Sequence, residues 1–183
     1  VNERILHTYC FQDDEEAWTY QADMDTTYNW QGVTIANDNS VVALTGKFYL
    51  YVLDLESGDG VWGIRTYNTE SPIAMSGDGS VIALGSLTGR MTIYNRIENT
   101  YEELWHYSFR GARSSWVNAV AVSSDGFTIG AGVLDFYEDH YGGRLAIFDT
   151  YGDGTPNWVN DSFADEVASI AINDNGLIIG ATS

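Results

Sequence analysis

Val52-Leu-Asp-Leu-Glu-Ser-Gly-Asp-Gly-Val-Trp62 ends an apolar run on an aspartate, turns through glycines and enters a second apolar run that carries a tryptophan. The Asp54 side chain can accept hydrogen bonds from the amides that follow it, which stops a strand. Looser versions recur. Cys10 to Trp18 keeps the spacing but has lost the Asp and the Gly, and Asn95 to Trp105 and Asp149 to Trp158 keep the ends with insertions of two and one residues.

Working outward, each copy is preceded by an apolar run, a polar turn and a second apolar run. These are Val33 to Leu44, Ile73 to Leu84, Val120 to Ala131 and Ile170 to Ala181. Asp38, Asp78, Asp125 and Asn175 stand in the turns as Asp-Asn, Asp-Gly or Asn-Gly, pairs that supply the positive φ a tight hairpin needs. A third strand follows at Phe48 to Asp54, Arg90 to Asn95 and Arg144 to Asp149. A fourth, opening the next unit, carries Trp18, Trp62, Trp105 or Trp158. No segment has a helical period.

Four-stranded units of this length, repeated, predict an all-β chain: a β-propeller of four blades. A small sheet cannot bury both faces alone; stacking on its neighbours does, with an indole filling each seam. A sandwich of short strands accounts for the alternation but not for the repeated Trp. The repeats fall near 17–56, 60–97, 103–150 and 156–183, the last completed by 3–11. The segment Arg4 to Cys10 aligns with Arg90 to Asn95 and leads to Trp18 as that strand leads to Trp105, so the N-terminal strand is expected to complete the final blade and remove two free edges. A four-bladed monomer, an eight-bladed strand-swapped dimer, and an arc of a longer chain all satisfy this.

Val52 to Trp62 resembles the tryptophan-docking motif of the pyrroloquinoline-quinone-type propeller repeat, Ala-x-Asp-x-x-x-Gly-Lys-x-x-Trp, with Asp54, Gly58 and Trp62 in place, Val52 for Ala and Asp59 for Lys. The hairpins, of pattern Ile/Val-Ala-x-Ser-x-Asp-Gly, are similar to WD40-like repeats, without that family's Gly-His pair and Trp-Asp dipeptide. The resemblance implies a quinoprotein-like or WD40-like propeller superfamily, whose members include periplasmic dehydrogenases and many non-enzymatic scaffolds, so function rests on sites.

The 183 residues carry 26 acidic and 8 basic side chains, net -18. Such a surface repels phosphate backbones and anionic lipid heads, which excludes nucleic acid and membrane insertion as expected partners. The acidic, lysine-poor composition points to an extracellular or cell-surface setting, with the cytoplasm as the alternative. Cys10 is the sole cysteine, so no disulfide forms within the chain.

Catalytic signatures are missing: there is no phosphate loop, no Gly-x-Ser-x-Gly elbow and no His-Glu-x-x-His or Cys-x-x-Cys element. Asp13 to Glu16, Ser57 to Gly60 and Gly152 to Thr155 read as turns. Asn160 to Ser162 fits the glycosylation sequon. The repeat is broken by one insertion, Leu134 to Gly143, between the second and third strands of its blade. Asp135, Glu138 and Asp139 are its candidate ligands for a hard cation, Ca2+. Phe136, Tyr137, His140 and Tyr141 are candidate contacts for a protein or glycan. The plain alternative is an extended hairpin with solvated charges. The expected function is a non-catalytic interaction or structural module, part of a larger surface assembly; the alternative is a cofactor- or metal-dependent quinoprotein-like enzyme.

Overall fold

A computed structural model describes residues 5–10, 15–21, 30–46, 48–66, 72–177 and 179–182. Sixteen strands and no helix are found among them. In chain order they are β1 (Ile5–Cys10), β2 (Glu15–Gln21), β3 (Trp30–Ile35), β4 (Val41–Gly46), β5 (Tyr49–Asp54), β6 (Gly60–Arg65), β7 (Ile73–Met75), β8 (Val81–Leu84), β9 (Arg90–Ile97), β10 (Thr100–Ser108), β11 (Ser114–Val122), β12 (Thr128–Phe136), β13 (Tyr141–Asp149), β14 (Trp158–Phe163), β15 (Ser169–Ile172) and β16 (Ile179–Thr182).

The strands form three four-stranded antiparallel sheets, β3 to β6, β7 to β10 and β11 to β14, flanked by two-stranded sheets, β1 with β2 and β15 with β16. First strands of neighbouring sheets approach one another, β3 with β7, β7 with β11 and β11 with β15. They therefore line the inside of the arc and the fourth strands its outside. Each tryptophan-bearing strand pairs with the strand before it, Val52 opposite Trp62 and Ile93 opposite Trp105. It closes the sheet of the strand before it. The expected pairing of the N-terminal strand with the last blade is not formed among the described residues: β1 pairs with β2, and the ring is not closed. Parts of the segments 3–11 and Asp13 to Glu16 lie outside the described residues.

The hairpin turns follow the residues that specify them. Asn39, Gly79, Gly126 and Gly176 take positive φ of 59°, 69°, 77° and 71°. Ser40 N donates to Asp38 Oδ1 at 2.9 Å, Ser80 N to Asp78 Oδ1 at 2.9 Å, and Phe127 N to Asp125 Oδ1 at 3.1 Å. These bonds favour the ionised carboxylate. The Ser40 hydroxyl and amide hold Asp38 below the ordinary carboxylate range, and the Ser123 hydroxyl with the Phe127 amide does the same for Asp125. The turns are also tied to one another across sheets, Asp38 N to Gly77 O at 3.1 Å, Gly77 N to Ser124 O at 2.8 Å and Asp125 N to Asp174 O at 3.0 Å.

Burial alternates between seams. Val41 and Ala43 share a core with Ile82, Leu84, Tyr94 and Tyr101 of the next sheet, while Val42 and Leu44 pack with Leu6, Trp18 and Tyr20 of β1 and β2. Both faces of β4 are covered, and every residue of the strand is buried, because successive side chains point to opposite faces. A third core joins Val81, Ala83, Met91 and Ile93 to Val117, Ile129, Ala131, Val133 and Phe148.

At the seams Trp18 donates from Nε1 to Leu55 O at 2.8 Å and Trp105 to Thr150 O at 2.7 Å, each carbonyl following the Asp that ends the next sheet's third strand. Trp62 rests with its ring 5.6 Å from Tyr94 and 5.4 Å from Tyr101. Gly58 and Gly154 face these indoles: a Cβ would stand 2.8 Å from Trp18 Cδ2 and 3.2 Å from Trp105 Cγ. The Asp54 to Trp62 stretch thus serves two seams, Gly58 receiving the indole of the sheet before and Trp62 reaching the sheet after. Asp54 Oδ1 accepts from the amides of Glu56 and Ser57 at 3.0 and 2.8 Å, which ends β5.

Candidate functional site

The insertion adds length to a hairpin. Pairing runs on from Leu134 with Gly143 through Asp135 with Gly142 to Phe136 with Tyr141, leaving 137–140 as the tip. The extra rungs lift the tip off the end of the sheet, beside the 109–113 connection between β10 and β11. Arg113 N donates to Phe136 O at 2.9 Å and fastens the two together.

Between them lies a cleft of about 540 Å³ lined by Arg113, Ser114, Trp116, Phe136, Tyr137, Glu138, Asp139, His140 and Tyr141. Its wall is aromatic. Trp116 lies 4.6 Å from Phe136 between centroids, Phe136 meets Tyr141 edge-on at 5.4 Å, and Tyr137 stacks on His140 at 4.5 Å, 8° from parallel. Tyr141 is 58% exposed. Tilted, edge-on and stacked in turn, these rings pack on one another along the wall. Charge is split across the cleft, with Arg113 on one side and Glu138 with Asp139 on the other. The His140 ring, 2.7 Å from Asp139 Oδ1, lowers the pKa of that exposed carboxyl.

The expected ligands for a cation are not brought together. Asp135 is fully buried and faces the other way: Arg144 donates from Nε to Oδ2 at 2.5 Å and from Nη2 to Oδ1 at 2.7 Å, and Ser115 donates to Oδ1 at 2.5 Å. Arg144 also donates to Arg110 O at 2.9 Å and lies 5.3 Å from the Phe109 ring centroid. A buried carboxylate satisfied by a guanidinium braces the base of the hairpin. Period two sends Asp135 inward and leaves Glu138 and Asp139 at the tip. Among the described residues no group of three His, Cys, Asp or Glu is placed to hold a metal ion. His106 is on β10, its Nδ1 2.7 Å from Glu103 Oε1.

The contact set, Phe136, Tyr137, His140 and Tyr141, does line one cleft. Missed from sequence were Ser114 and Trp116, which come from the neighbouring strand β11, and Arg113, from the connection before it. A signal for Trp116 was present: it is one of six tryptophans, four of which are accounted for by the repeat.

No protein-family model matches the chain, and no curated protein matches it significantly. Among solved structures 907 chains match in shape, which marks a widely shared fold. One is a chain of the mitotic checkpoint complex, with TM-score 0.76 and 16% identity, covering 99% of this chain and 52% of that one. Another is the β-propeller domain of Cps50 (Swd1) from Myceliophteria thermophila, with TM-score 0.66 and 11% identity, covering 85% and 50%. These likenesses show a β-propeller fold, and the chain spans about half the length of each neighbour. The pyrroloquinoline-quinone branch of the resemblance gains no support from them.

Proposed function

We propose that this chain is a WD40-like β-propeller unit that acts as a non-catalytic protein-interaction module, docking its partner in the cleft at the β12–β13 tip. The observation that carries the reading is the lengthened β12–β13 hairpin itself, which raises four contact residues beside Trp116 and Arg113 around one cleft. Aromatic side chains with few rotatable bonds and an Arg at the edge are the groups that carry most binding energy at protein interfaces. One neighbour is a protein complex, in keeping with a scaffold role. In the same reading the open blade is completed by strand exchange with the N-terminal strand, or by further blades of a longer chain.

The test is affinity capture with the wild-type chain and with the Trp116→Ala and Tyr141→Ala variants, each checked for an unchanged thermal transition. A protein retained by the wild type and lost at least tenfold with either variant supports the reading. Equal capture by all three overturns it, and a variant-sensitive signal on a glycan array in place of a protein reassigns the cleft to saccharide.

A further inference from the structure

The aromatic wall of the cleft is assembled from three adjacent strands. Trp116 of β11 lies opposite Leu134 of β12, and Phe136, two positions further on, lies opposite Tyr141 of β13. Ladder partners share a face and side chains alternate along a strand, so the three rings stand on one face of the sheet. Trp116 is 37% and Tyr141 58% exposed. At the tip the chain adds two exposed carboxylates to the same cleft, Glu138 and Asp139, and Arg113 stands across from them.

That combination discriminates between occupants. An apolar segment would strip water from Glu138 and Asp139 without a compensating bond, which costs free energy. An acidic segment would meet two like charges. A basic side chain suits both parts of the site, its apolar stem packing on the rings while its charged head reaches the carboxylates. Arginine suits it best, because a guanidinium is planar, stacks on aromatic faces and binds carboxylates through paired N–H groups. The base of the same hairpin already holds this arrangement, Arg144 lying 5.3 Å from the Phe109 centroid while donating to both Asp135 oxygens. The cleft's volume of about 540 Å³ is within the roughly 300–1,000 Å³ of ligand pockets, room for a few side chains of a short segment. The net charge of -18 draws cationic partners toward the chain.

We propose that the cleft takes a basic peptide segment, one arginine side chain lying against Trp116 and Tyr141 with its guanidinium at Glu138 and Asp139. Arg113, on the other side, sets the segment's direction by donating to its carbonyl oxygens. This rests on the docking reading above and adds the chemistry of the partner. Because rings and carboxylates both contribute, a lysine in the same place binds more weakly, and a neutral citrulline, which keeps the shape of arginine without its charge, binds more weakly still.

The test pans a random heptapeptide library against the whole chain and then titrates the enriched peptides in synthetic form. They should share one arginine, and replacing it by citrulline should weaken binding at least tenfold. The pair Glu138→Gln with Asp139→Asn should weaken binding at least tenfold. The pair Glu56→Gln with Asp59→Asn, an equal change of charge in the turn between β5 and β6, should leave it within about twofold. Equal losses from the two pairs would mean attraction to bulk charge and would overturn the proposal, as would the absence of any enriched peptide. Acidic or apolar peptides that are lost with Trp116→Ala would overturn the arginine assignment and leave docking in the cleft standing. Peptides that bind wild type, Trp116→Ala and Tyr141→Ala alike would overturn both. All variants are first checked for an unchanged thermal transition.

Discussion

Trp105 and Trp158 sit at the same register position on the fourth strands of adjacent sheets, opposite Ile93 and Ile147, yet their surroundings differ. Trp105 has a sheet beyond it. Its Nε1 donates to Thr150 O at 2.7 Å, Gly154 lies flat beneath its ring, and Phe148 is 5.5 Å away between centroids. Trp158 has no such sheet among the described residues and is half exposed. The same residue in the same strand is core or surface according to whether the neighbouring blade is present, so the stability of this fold resides in seams more than in sheets.

The largest effect that could break this comparison is the pair Trp105→Ala and Trp158→Ala. Removing the seated indole should cost about 3 kcal/mol, within the range for aromatic truncation in a packed core. Removing the exposed one should change stability by less than ~0.5 kcal/mol. Urea denaturation followed by circular dichroism measures both, and equal costs would end the distinction.

A similar contrast lies within the hairpin. Asp135→Asn removes one partner of a buried pair and leaves Arg144 uncompensated, at a cost of about 3 kcal/mol or more. Asp139→Asn, at the exposed tip four residues away, should leave the thermal transition unchanged. Thermal melts of the two variants separate a bracing carboxylate from a solvated one.

Smaller again is Tyr101→Phe, which removes a 2.6 Å hydrogen bond from a buried hydroxyl to Gly79 O and should cost about 1 kcal/mol. Burial raises the Tyr101 pKa to about 12. The neutral phenol is thus favoured by the fold. Its contribution is whole below the unfolded value near 10 and is lost as pH rises from about 10 to about 12. Ultraviolet titration of wild type against Tyr101→Phe should show one late-ionising tyrosine missing from the variant. The Asp38 and Asp125 turns carry the opposite sign, their contribution present above the ordinary carboxylate range and lost as pH falls through it.

Much of the architecture was legible because it is written in local chemistry. Asp38, Asp78, Asp125 and Asn175 specify turns through their own side chains, and period two specifies the strands between them. What sequence could not give was the direction of each seam. Asp54, Gly58 and Trp62 read as one motif, but Gly58 and Trp62 face different neighbours, a distinction that only the stacking of sheets decides. The contact residues Phe136, Tyr137, His140 and Tyr141 were legible as an insertion that breaks a repeat. Arg113 and Trp116 were not, because they come to the cleft from the neighbouring strand β11 and the connection before it, twenty or more residues earlier in the chain. The inward direction of Asp135 was not legible, because it depends on how far the β12–β13 ladder continues.

Hydrogen exchange on the dilute chain tests seam-borne stability most directly. The amides of Val81 to Leu84, in a strand with both faces covered, should exchange only through global unfolding. Those of Ile179 to Thr182, in a two-stranded sheet with no buried residue in the strand, should exchange orders of magnitude faster. Equal protection of the two strands would contradict the account.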